Sequence, residues 1–91
     1  MYLAKVLGSV VSTVKHPSYR GTKLMIVQPV KPSGQPDGTP GLAVDTVGSG
    51  AGETVLVLRE GRAAGEILNL EEPPIRSLIV GIVDRIDVAG E

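Results

Sequence analysis

Leu3-Ala4-Lys5-Val6-Leu7-Gly8-Ser9-Val10-Val11-Ser12-Thr13-Val14 is the stretch whose reading decides the fold. Ala4, Val6, Val10 and Val14 share one parity, while Lys5, Ser9 and Thr13 fall on the other. A period of two describes a strand with one dry and one wet face. Gly8 interrupts that strand where a bulge or tight bend would sit. A second long run, Ser77 to Val88, carries Gly81 in the same capacity. A long strand that bends at a glycine can serve both sheets of a small closed barrel.

Shorter strands fill the interval between these two. Lys23 to Val30 is apolar through Leu24-Met25-Ile26-Val27, which predicts cover on both faces, and Pro29 marks an edge or bulge position. Leu42 to Val47 and Thr54 to Arg59 are the third and fourth strands. Between them lie a loop rich in Pro and Gly (Lys31 to Gly41) and a tight turn, Gly48-Ser49-Gly50-Ala51-Gly52. Glu60 to Leu68 has room for one short helix around Ala63-Ala64, weakened by Gly61 and Gly65. Val, Ile and Thr make up 24 of the 91 residues, and Gly and Pro another 19. That balance belongs to an all-β domain of short strands. The expected architecture is a five-stranded OB-like closed barrel, residues 1–91 forming one domain.

Size bears on assembly. A 9.4 kDa chain folds to a surface of roughly 5,000 Å² against about 13,600 Å² unfolded, so its core is marginal. Small domains are usually reinforced by disulfides, metals or self-association. The chain has no cysteine and one histidine, His16. Disulfides, thiolate metal sites, a cysteine nucleophile and a Ser–His triad are therefore disfavoured, and self-association is the expected reinforcement. No cofactor is expected.

Charge argues against a nucleic-acid partner. Nine basic residues are scattered among ten acidic ones, for a net charge of −1. The two aromatics, Tyr2 and Tyr19, provide no stacking platform. No apolar run reaches the roughly eighteen residues of a membrane span. The first residues lack the basic-then-apolar pattern of a signal peptide. A soluble cytoplasmic protein is expected, with neither nucleic-acid nor membrane partner.

The candidate chemistry is sparse. Gly48-Ser49-Gly50-Ala51-Gly52 invites a phosphate-loop reading, but a strand follows it and no Lys-Ser/Thr is present, so neither nucleotide-binding pattern is met. Its glycines are instead expected to permit positive φ or close backbone approach. Asp45, Glu53, Asp84 and Asp87 lie near strand ends and read as solvated or salt-bridged surface acids. His16 reads as an exposed loop residue. No catalytic constellation emerges.

Three segments resemble one family. Ala4-Lys5-Val6-x-Gly8-x-Val10-Val11-Ser12-Thr13-x-Lys15 is similar to the opening strand of the bacterial microcompartment vertex proteins, the EutN/CcmL family. Asp45-Thr46-Val47-Gly48-Ser49-Gly50-Ala51-Gly52-Glu53 resembles that family's Asp-x-Val-Gly-Ala-Gly-x-Gly-Glu segment, and Ile79-Val80-Gly81-Ile82-Val83-Asp84 its closing strand. Two segments depart from the family pattern: Gly61-Arg62-Ala63-Ala64-Gly65 replaces Gly-Ser-Ala-Ala-Arg, and Arg76 stands where an acid is common. The resemblance implies an OB-like barrel assembled as a ring of five. Such rings cap the vertices of a polyhedral shell otherwise tiled by hexameric shell proteins. It implies a structural, non-enzymatic role. Gly48, Ser49, Gly50, Gly52, Ala63 and Ala64 become candidates for a structural turn or subunit contact, with Leu56 and Leu58 on the barrel surface. The alternatives from the residues themselves are a monomeric OB-type binding module and a small enzyme.

Overall fold

A computed structural model describes residues 1–10, 23–59 and 77–89. Its strands are β1 (Tyr2–Val10), β2 (Lys23–Pro29), β3 (Gly41–Asp45), β4 (Thr54–Arg59) and β5 (Ser77–Ile82). They close into a barrel in the order β1-β2-β3-β5-β4, with β4 returning to β1. The neighbours are antiparallel except β3 and β5, which run parallel over Val44↔Leu78 and Asp45↔Ile79. The expected OB-like five-stranded barrel is the fold observed. The residue 60–68 helix expectation, the strand extension over residues 11–14, His16, Ala63 and Ala64 lie outside the described residues.

The core explains the composition. Ala4, Val6, Met25, Val27, Ala43, Val55, Val57 and Ile79 are fully buried together, with Tyr2 packed against them. Five strands enclose a narrow interior, which small and β-branched side chains fill without strain. Phenylalanine and tryptophan are absent from the chain.

Both long strands bulge beside the expected glycines. In β1 the register slips between Val6 and Gly8, leaving Leu7 as the extra residue. In β5 it slips so that Leu56 faces Gly81 while Val57 faces Ile79, leaving Val80 over. A bulge adds one residue and reverses the parity beyond it. Val10 consequently pairs with Leu24 while Ser9 pairs with Met25, so Val10 leaves the face of Ala4 and Val6. The single parity expected from Ala4 to Val10 is corrected accordingly.

Further expectations change, among them the end of the third strand, at Asp45 rather than Val47. Leu24, Met25 and Val27 are buried, so β2 is covered on both faces at Leu24-Met25, but Ile26 is 36% exposed and that cover does not extend to it. The last strand ends at Ile82 rather than Val88. The Val83 N–H still reaches the Thr54 carbonyl at 2.8 Å. Thr54 is the first residue of β4, and beyond it there is no ladder left to extend.

Pro29 falls at the end of β2, where its carbonyl accepts the Asp37 N–H at 2.8 Å. The following loop is irregular but ordered by its own bonds. Val30 bridges Pro36, and the Gln28 side chain donates to the Gly38 carbonyl at 3.0 Å.

Candidate functional site

The turn joining β3 to β4 is the most densely bonded connection among the described residues, and its sequence accounts for this. Asp45 ends β3, and its two carboxylate oxygens accept the N–H groups of Val47 (3.1 Å) and Ser49 (3.0 Å). A short acidic side chain can hold backbone donors a few residues ahead in this way. Glu53 closes the other end: its Oε1 accepts the Gly50 N–H at 2.6 Å, and its own N–H donates to the Gly50 carbonyl at 3.1 Å. The expectation of merely solvated or salt-bridged acids is corrected for these two. Among the four, Asp87 forms an ion pair, with Arg85 at 3.1 Å on an exposed surface.

Three anchors bind the turn to the barrel. The Gly52 N–H donates to the Val6 carbonyl at 2.8 Å, and the Val6 N–H donates to the Glu53 carbonyl at 2.9 Å. The Thr46 hydroxyl donates to the Ile79 carbonyl at 2.6 Å, continuing the short parallel seam between β3 and β5.

Conformation separates the candidate glycines. Gly48 and Gly52 have φ of 79° and 89°, in the region closed to most side chains. Gly50 does not; a Cβ there would lie 3.5 Å from Glu53 Oε1, an ordinary contact. Ser49 is buried to 1% exposure, and its hydroxyl has no hydrogen-bond partner among the described residues. Leu56 and Leu58 stand half-buried on β4. A phosphate loop needs a helix after the glycines, and here β4 follows directly. A shallow pocket of about 550 Å³ opens at the opposite end of the barrel, beside Tyr2, Asp37 and Arg59, and none of the predicted site residues lines it.

Sequence reasoning missed the holding roles of Asp45 and Glu53. The signal was present in the spacing: an acid two and four residues ahead of the amides it binds, and another three residues behind Gly50.

A barrel with this turn and these two glycine-flanked bulges matches one family over nearly its whole length. The model of the family described as ethanolamine utilisation protein EutN/carboxysome matches residues 1–84. The chain belongs to the EutN/CcmL family. Among relatives, it is 46% identical over 90 residues to the carboxysome shell vertex protein CcmL of Synechocystis sp., covering 99% of this chain and 89% of that one. It is 37% identical to the shell vertex protein EutN of Escherichia coli, covering 100% and 95%. The solved structure of GrpN, a pentameric microcompartment shell protein from Rhodospirillum rubrum, superposes with a TM-score of 0.82 at 41% identity. That match covers 97% of this chain and 99% of GrpN. The EutN/CcmL relatives thus share both the sequence and the barrel.

Proposed function

We infer that this chain is a structural component of a bacterial microcompartment shell, five copies of which form a ring that caps a vertex. The observation that carries this is the whole-length likeness, in sequence and in fold, to shell vertex proteins and to a pentameric shell protein. The physical need is geometric, because flat layers tiled by six-fold units close into a polyhedron only where five-fold units introduce curvature. A heterologous contact whose rotation closes produces such a ring.

The partners that follow are other copies of this chain and the hexameric proteins of the flat facets, in the cytoplasm. The role is non-enzymatic. In support, the carboxylates of Asp45 and Glu53 are spent on backbone amides rather than directed at a shared reaction centre. The Gly48–Gly52 turn serves as a rigid corner that fixes β3 and β4 against β1. Residues 1–91 act as one domain.

Native mass spectrometry tests the reading. Five times 9.4 kDa gives 47 kDa, far from the mass of a tetramer or hexamer. A 47 kDa species dominant at tens of micromolar is expected; a dominant monomer would overturn it.

A further inference from the structure

Among the described residues, exposed apolar side chains outside the core and the turn include two groups besides Met1 and Leu7. The first crosses the outer wall of the barrel. Gly8, Ile26 and Leu42 stand side by side on β1, β2 and β3 through the register Gly8↔Ile26↔Leu42. Ile26 and Leu42 are 36% and 44% exposed. Gly8 presents no side chain, and among the described residues nothing demands its absence: its φ is not positive, and a Cβ there would meet no described atom within 4 Å. The row is therefore an apolar strip with a notch beside Ile26.

The second surface is the segment that leaves β5. After the Val83 N–H, residues 84–88 have no ladder partner among the described residues. Ile82, Ile86 and Val88 are 36%, 41% and 43% exposed. In an extended chain, alternate residues share a side. Ile82, Ile86 and Val88 share one parity of the chain, and Arg85 and Asp87, which pair with each other, share the other.

A ring requires each subunit to carry two different, complementary patches, one for each neighbour; a two-fold dimer requires one patch that fits itself. A strip on the wall and an arm beyond β5 are two such patches. We propose that the arm Ile82–Val88 of one subunit lies along the Gly8–Ile26–Leu42 strip of the next copy in the ring. The notch at Gly8 admits the arm's backbone or a side chain at close range. This rests on the pentameric reading above.

The test uses the full chain and native mass spectrometry. An arm variant (Ile86→Asp with Val88→Asp) and a wall variant (Ile26→Asp with Leu42→Asp) are each expected to be folded monomers. Mixed, they retain one good arm and one good wall between them, so they should form a heterodimer of about 18.8 kDa, twice 9.4 kDa, and grow no further. Gly8→Leu, whose Cβ meets no described atom within 4 Å, should keep the fold and lose the ring. If wild type is a pentamer and any of these three variants remains one, the docking proposal is overturned while the ring stands. If wild type is not a pentamer, the ring reading fails and this inference falls with it. Should an aspartate variant misfold, Leu42→Cys with Ile86→Cys decides the matter, since the chain has no cysteine of its own. A short bis-maleimide should then give covalent oligomers up to five chains, and products no larger than one chain would overturn the proposal.

Discussion

The hydroxyl of Thr46 donates to the carbonyl of Ile79 at 2.6 Å, just beyond the two residue pairs that join β3 to β5. This is the shortest seam of the barrel, and the side chain lengthens it by one bond. Thr46→Val keeps the shape and removes this donor from the Ile79 carbonyl. A loss of about 1–2 kcal/mol in denaturant unfolding is expected, with Thr46→Ser restoring most of it. An unchanged midpoint for Thr46→Val would show that the seam closes without the hydroxyl.

The glycines of the turn should differ in cost. Gly48→Val and Gly52→Val force a β-branched residue to positive φ and should each destabilise by about 1–3 kcal/mol. Gly50→Ala meets an ordinary contact and a permitted backbone, so its effect should stay within about 0.5 kcal/mol. A Gly50→Ala loss equal to that of the other two would contradict this ordering.

Ser49 should be dispensable as a serine. Its buried hydroxyl has no partner among the described residues, and a buried unpaired polar group costs free energy. Ser49→Ala is expected to be neutral or to raise the melting temperature by a few degrees. The family segment that this turn resembles has alanine at that place. A clear drop in melting temperature would mean that the hydroxyl is bonded in solution.

The two acids can be separated by their amide partners. Asp45→Ala strips two backbone N–H groups of their acceptor and should cost about 1–3 kcal/mol. Glu53→Ala strips one, on a more exposed surface, and should cost about 1 kcal/mol. Glu53→Gln, which keeps an acceptor oxygen, should fall between wild type and Glu53→Ala. Thermal unfolding of the three variants at one protein concentration checks the order.

Assembly should also be visible in stability. If the ring covers apolar side chains that the lone barrel leaves wet, dilution must lower the thermal midpoint by mass action. Differential scanning fluorimetry from about 1 to 100 µM should show a midpoint that rises with concentration. A midpoint independent of concentration across that range would place the unfolding step within intact rings or lone subunits.

Much of this fold is local enough to read along the chain. Thr54 to Arg59 is a strand in sequence and in structure, with the same ends. Gly8 and Gly81 both flank bulges, because a residue without a side chain relaxes the ladder where a register shift occurs. The turn was located by its glycines. What holds it is not legible there, because a carboxylate that binds backbone amides and one that faces water look alike in a sequence.

The amino-acid order by itself determined the number of strands, the narrow aliphatic interior, the bends at Gly8 and Gly81 and the family to which the chain belongs. These depend on side-chain period, volume and backbone permission, all properties of neighbouring residues. Tertiary structure alone decided where β5 stops, why Val10 leaves the face of Val6, why Ile26 is exposed within an apolar run, and that β3 and β5 meet in parallel. Each of those depends on which strand lies alongside. A strand carries half of every ladder bond, and its partner, dozens of residues away, supplies the other half.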